Sequence, residues 1–252
     1  MKDSYQLKVI VLTKDRPSKL MLTLQSLINS TANSFFSVEV YDAGDRPATE
    51  DSSLRNVIDL ASRMYNMDIS VKRIRNISIQ ENRKSILKGR DKDLCIIDDD
   101  IILDRNCLDK LFKALNSTDT NYVVPVCIDI NNSLRHPDYT LEYTPIDEML
   151  KMPVRLRRHR LYYEDRIVAV PYAEASTLMI KGSALKELNW DFVRSGENDM
   201  IEGVKLTKAL EIGHIVTQAI SYHNTDAQEW FTNWRKTFTS YVDREFKAND
   251  IS

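Results

Sequence analysis

Apolar positions follow two alternating rhythms along the first half of this chain. Leu7 to Leu12 (LKVIVL) is a short, β-branched apolar run and predicts a buried strand, with the polar turn Thr13-Lys14-Asp15-Arg16-Pro17 behind it. Ser18 to Asn29 then places Leu20, Leu24, Leu27 and Ile28 at helical spacing, with Ser18 as the expected N-cap. Val38 to Tyr41 predicts a second strand, ended by Asp42-Ala43-Gly44-Asp45. Ser52 to Tyr65 carries Leu54, Val57, Ile58, Ala61 and Tyr65 on one helical face. Ile69 to Ile74 is a third strand, Gln80 to Lys88 a short helix, and Leu94 to Ile97 (LCII) a fully apolar fourth strand. Asp104 to Leu115 is amphipathic at helical spacing, and Tyr122 to Ile128 gives a fifth strand. Such alternation predicts a mostly parallel α/β sheet with helices on both faces. Ligands of such sheets sit beyond the carboxyl ends of the strands.

The second half is less regular. Asn131 to Arg166 is long and polar, whereas Val168 to Pro171, Ser176 to Ile180 and Gly213 to Gln218 predict further strands. Asn198 to Leu210 and Trp230 to Phe246 predict helices. The expected organisation is one domain over 1–225, with a nucleotide-side half (1–128) and an acceptor-side half (129–225), followed by a C-terminal helix at 226–252.

Composition narrows the classes. A chain of 252 residues with 42% hydrophobic and 29% charged residues can bury a proper core. A net charge of -2 removes any global basic signature for nucleic acid. Cys95, Cys107 and Cys127 are sparse and unpaired in pattern, which disfavours a disulfide framework or a zinc site and points to a reducing, cytoplasmic compartment. The first residues carry no signal-peptide pattern, and no apolar run approaches the roughly 20 residues that span a bilayer.

The chemistry concentrates at Ile96-Ile97-Asp98-Asp99-Asp100-Ile101-Ile102. Adjacent carboxylates inside an apolar run require a cation or protons, unless they form a solvated acidic turn. On extended chain Asp98 and Asp100 would face the same way, with Asp99 pointing elsewhere. Mg2+ and Mn2+ favour such oxygens together with substrate phosphates. Downstream, Ser195-Gly196-Glu197-Asn198-Asp199 opens a helix. A carboxylate held ionised there could accept a proton from an acceptor hydroxyl, or the segment could simply cap the helix. His223 follows the last predicted strand, where it could be a metal ligand or a structural histidine.

The segments VIVLTKDRPSKLMLTLQSL, VEVYDAGD and CIIDDDIIL, in this order, resemble GT-A fold glycosyltransferases, most of all the inverting family 2. That resemblance implies a GT-A, Rossmann-like fold and transfer of a sugar from a nucleoside diphosphate sugar, UDP-linked by preference, with Mn2+ or Mg2+. It places Asp98-Asp99-Asp100 at the family's DxD motif, with Asp98 near ribose or metal and Asp100 on the metal. It also implies that Thr13 and Arg16 lie near the nucleotide, Asp42 near the base and Asp99 beside the donor. Glu197 or Asp199 would be the acceptor base and His223 a further metal ligand. Family members often carry an Arg-Asn pair before the acidic strand; here Glu81-Asn82-Arg83 stands there, with Arg83 as the candidate phosphate contact.

Two other segments have open readings. Trp230 to Arg235 (WFTNWR) faintly resembles the QxxRW motif of processive enzymes, but Trp230 and Trp234 also fit a core-facing pair. Met152 to Arg166, rich in arginine, fits a solvated loop, a lid over diphosphate, or a contact to a polyanionic acceptor such as nucleic acid. Nucleotidyl transfer is the rival enzyme class, and the absence of glycine from Thr13 to Pro17 speaks against it. A degenerate domain that only binds sugar nucleotides is the non-enzyme rival. The acceptor is open among glycan, small molecule, protein and nucleic acid.

Overall fold

The LKVIVL run forms β1 (Leu7–Thr13), and its alternating side chains feed two apolar layers. Leu7, Val9 and Val11 enter one layer, Ile10 and Leu12 the other. The structure is a computed structural model that describes residues 7–32, 35–75, 78–129, 167–170, 173, 176–191 and 205–224. By internal contacts the chain divides into two units, Met1–Ile128 with Asp165–His223, and Asp129–Glu164 with Asn224–Ser252. The architecture described here is that of the first.

β1 leads through α1 (Pro17–Ile28) to β2 (Phe36–Asp42), and α2 (Ser52–Tyr65) leads to β3 (Ile69–Arg73). α3 (Ile79–Leu87) precedes β4 (Leu94–Asp98). These strands pair in parallel, in the order β3-β2-β1-β4, because each crossover contains a helix long enough to return the chain. α1 does not start on a Ser18 cap. Arg16 is the N-cap residue, its side chain makes no capping bond, and Pro17 takes the first turn, where a missing N–H costs nothing. α2 is capped by Asp51, whose carboxylate accepts the Leu54 N–H at 2.9 Å.

Beyond β4 the sheet continues antiparallel. β5 (Ile101–Leu103), α4 (Cys107–Ser117), β6 (Tyr122–Asp129), β7 (Ile167–Val170), β8 (Thr177–Ile180), α5 (Gly182–Glu187) and β9 (Gly213–His223) follow in the chain. The full order is β3-β2-β1-β4-β8-β6-β9-β5, with β7 paired to β9. β8 runs antiparallel to β4 and β6, and β9 antiparallel to β5 and β7. The parallel pairing thus belongs to β1 to β4.

Both faces are covered. Leu20, Leu24, Leu27, Leu54, Ala61, Leu108 and Leu111 from α1, α2 and α4 pack one face. Ile86, Leu87 and Leu185 from α3 and α5, with Leu206 and Leu210 around the helical segment 205–209, pack the other. Three elements depart from the sequence expectation. β5 is too short to stand out by pattern, and α5 is likewise a short element. β9 continues past Gln218 to His223, because Ala219 and Ser221 carry the buried alternation onward. Of the expected Asn198–Leu210 helix, 205–210 fall among the described residues, with 205–209 helical, and the expected C-terminal helix lies outside them. Among the described residues no helix is long and apolar enough to cross a membrane.

One contact fixes the start of β9. A Cβ on Gly213 would stand 1.8 Å from the Tyr122 ring, so only glycine lets β9 cross this buried aromatic. Gly213→Ala should therefore destabilise the fold by about 1–3 kcal/mol or more, read as a fall in the urea midpoint. Adding Tyr122→Leu should recover part of the loss. Strict additivity of the two changes would show that the ring is not the obstacle.

Candidate functional site

The carboxyl ends of β1, β2 and β4 lie side by side, and each ends in a polar residue. Thr13 pairs across to Asp42, and Leu12 pairs to Asp98. The apolar runs behind them set these positions, because burial on both faces fixes the strand register.

The acidic triplet does not continue as extended chain. β4 ends at Asp98, Asp99 and Asp100 form a turn, and β5 begins at Ile101. The convergence of Asp98 and Asp100 that extended spacing would give is therefore replaced by three separate destinations. Asp98 keeps the β4 alternation and reaches the α3 side, where its Oδ1 accepts from Arg83 Nη2 at 3.1 Å. Arg83 is almost fully buried, and the Asp98 N–H is held by the Ser176 carbonyl at 3.0 Å.

Asp99 is fully buried and turns back to the β1–α1 connection, rather than away from the site. Its Oδ2 accepts from Thr13 Oγ1 at 2.6 Å, its Oδ1 from Arg16 Nη2, and its backbone carbonyl from Thr23 Oγ1 at 2.8 Å. Burial raises its pKa to about 6, against the opposing pull of Arg16, Thr13 and the Lys14 N–H. Its oxygens are thus engaged by the protein, which makes it the anchor of the turn.

Asp100 is buried and turns toward Arg16 and His223. Its Oδ2 accepts from Arg16 Nη1 at 3.0 Å, and its Oδ1 lies 3.5 Å from His223 Nε2. β9 delivers that histidine through its antiparallel pairing with β5, in which Ile101 stands opposite His223. Burial disfavours the Asp100 anion, but His223, Arg16 and Lys19 outweigh it and hold the carboxyl below its ordinary pKa. The chain therefore brings Thr13, Arg16, Asp99, Asp100 and His223 together, with Asp98 and Arg83 as a neighbouring pair. Asp100 and His223 offer a carboxylate oxygen and an imidazole nitrogen to one point, a donor set that suits Mn2+. Among the described residues no three His, Cys, Asp or Glu side chains form a ready cation cage, and Asp98 is paired with Arg83. Phosphate oxygens and water would complete such a site.

Asp42 is also fully buried, and it organises a loop. Its Oδ1 accepts from the Gly44 N–H at 2.8 Å, and its Oδ2 from the Ala48 N–H at 2.7 Å and Arg73 Nη1 at 2.8 Å. These donors overcome burial and keep its pKa below the ordinary carboxylate value. Arg73 also donates to the Gly44 carbonyl at 2.6 Å. A side chain at Gly44 would meet Asp15 Oδ1 at 2.7 Å, which explains the glycine. Sequence reading did not identify Thr23, Arg73 or Lys19. Arg73 had a usable signal, since a parallel neighbour of Asp42 at a strand end must share its environment. Glu197 and Asp199, the basic segment 152–166, and Trp230 with Trp234 lie outside the described residues.

No family model matches this chain, and no curated protein matches its sequence. Solved structures do match. A crystal structure of GalNAc-T7 with UDP, GalNAc and Mn2+ aligns over 91% of this chain and 46% of its own, at TM-score 0.63 and 13% identity. The mannosyltransferase PcManGT from Pyrobaculum calidifontis, in complex with GDP-Man and Mn2+, aligns over 93% of this chain and 61% of its own, at TM-score 0.61 and 14% identity. TarS from S. aureus aligns over 90% of this chain and 38% of its own, at TM-score 0.55 and 12% identity. This chain thus spans between 38% and 61% of the length of these structures. The likeness establishes its fold as the GT-A glycosyltransferase fold.

Removing the Asp99 anchor tests the architecture. Asp99→Ala should destabilise by about 3–5 kcal/mol, since it strands buried donors, and Asp99→Asn by less. The pKa of about 6 lies above the unfolded value, so the folded chain holds this proton more readily. The contribution of Asp99 is fully present below about pH 4, the unfolded value, and is lost as pH rises through about 6. The stability advantage of wild type over Asp99→Asn should shrink between those limits in urea melts. An advantage that grows with pH would show that Asp99 is held ionised instead.

Proposed function

We propose that this chain is a metal-dependent glycosyltransferase that moves a sugar from a nucleoside diphosphate sugar to an acceptor hydroxyl. The observation that carries the reading is the convergence of Asp100, His223 and Arg16 beyond the carboxyl ends of the strands of a GT-A sheet. Carboxylate, imidazole and guanidinium together suit a divalent cation bound to a diphosphate.

In this reading Asp100 and His223 hold Mn2+ or Mg2+, which when bound neutralises charge growing on the departing diphosphate. Arg16 and Arg83 bind phosphate oxygens, and the loop held by Asp42 lies against the base. Thr13 and Asp99 act from behind by fixing the position of Arg16. Glu197 or Asp199 takes the proton of the acceptor hydroxyl, and the attacking oxygen then displaces the diphosphate at the anomeric carbon. The relatives in fold carry both UDP and GDP, so a UDP-sugar is the first donor to try and a GDP-sugar the second.

A thermal-shift panel of UDP, GDP and their sugars with Mn2+ tests this. Binding to the native state alone should raise its stability by about 2.7 kcal/mol at a hundredfold excess over Kd. Asp100→Ala should abolish the metal-dependent part of the shift. The reading fails if no nucleotide sugar shifts the midpoint or is hydrolysed with Mn2+. A shift that persists in Asp100→Ala would remove the metal assignment.

A further inference from the structure

Without a divalent cation, the negative charge at Asp99 and Asp100 is met by the chain itself, and Arg16 is the group that pairs with both carboxylates. Its guanidinium bridges the two residues, with Nη2 on Asp99 Oδ1 and Nη1 on Asp100 Oδ2 at 3.0 Å. Its position is built rather than incidental. Arg16 is the N-cap residue of α1, its carbonyl accepts the Leu20 N–H at 3.0 Å, and Pro17 fixes the chain direction behind it. Its side chain is nonetheless 43% exposed, so the guanidinium can leave Asp100 without opening the core.

We infer that Arg16 is a resident counter-ion that competes with the divalent cation for Asp100 and is drawn away when the donor's diphosphate arrives. This rests on the metal-and-donor reading given above. A cation held by Asp100 and His223 would sit against the oxygen group that Arg16 already engages. Two cations at one carboxylate repel, so either the metal binds weakly or Arg16 moves. A diphosphate offers Arg16 a bidentate partner of higher charge than one carboxylate, so Arg16 transfers to it. Metal and donor are thereby coupled through one side chain, each strengthening the other's binding by the same factor. Arg16 thus binds the donor and also sets when Asp100 becomes free.

A merely structural arginine would behave differently, and that difference supplies the test. Mn2+ binding to the full chain is followed by the EPR signal of free Mn2+, with and without UDP or GDP, in wild type, Arg16→Gln and Arg16→Lys. Arg16→Gln should lower the apo melting temperature but tighten nucleotide-free Mn2+ binding, by roughly 5- to 150-fold, the usual range for such coupling. The same variant should bind nucleotide more weakly with Mn2+ present. Arg16→Lys keeps the charge but loses the two-pronged contact and should fall between. If Arg16→Gln does not fold, the Arg16→Lys comparison decides alone. Unchanged or weaker nucleotide-free Mn2+ binding in the variants overturns the counter-ion role. If wild type still binds nucleotide with Mn2+ in that case, the glycosyltransferase reading stands and only this inference falls. If the variants gain Mn2+ affinity while no form binds nucleotide, the donor reading falls and the competition at Asp100 stands. If no form takes up Mn2+, both fall together.

Discussion

A single fully buried carboxylate organises the end of the sheet. Asp99 ties the β1–α1 connection to the β4–β5 turn through Thr13, Arg16 and the Thr23 hydroxyl on its carbonyl. The bonds join residues more than 70 positions apart, so the site depends on the long-range pairing of β1 with β4. Burial of the group opposes its ionisation, and the surrounding donors restrain that tendency. Asp98 and Asp100 are exposed to different neighbours because the residue between them is fastened inward.

The change of direction in the sheet serves the same corner. β1, β2 and β4 bring their carboxyl ends to one side by parallel pairing, as helical crossovers require. An imidazole reaches that side from the second half because β9 runs antiparallel to β5, so its last residue meets the first residue of β5. The turn at Asp99 and Asp100 matters here too. It releases the chain from β4 and lets β5 join the far edge, beside β9.

Much of the first half was legible because burial on two faces writes strands as apolar runs and helices as spaced leucines. The strands around Val9, Val38 and Ile96 and the helices around Leu24, Ala61 and Leu111 all follow from that pattern. β5 was not legible, since Ile101 to Leu103 is indistinguishable from a continuation of β4. The triplet was legible as chemistry but not as geometry. Extended spacing assigned Asp98 and Asp100 to one side and turned Asp99 elsewhere, whereas the turn sends all three to separate partners. The roles of Thr23 and Arg73 depend on tertiary register, which no local pattern encodes. The GT-A resemblance supplied the fold in advance, and comparison at 12–14% identity supports it through shape alone.

The latch on residues 43–48 has a consequence for local opening. Asp42 holds the loop through two backbone N–H groups, but its third donor, Arg73, belongs to β3, the edge strand of the sheet. An edge strand frays at lower free energy than the core behind it. When β3 peels, Arg73 leaves both Asp42 and the Gly44 carbonyl. The loop therefore shares its lifetime with the sheet's outermost ladder, and its amide protons should exchange with solvent on the timescale of β3 rather than of β1.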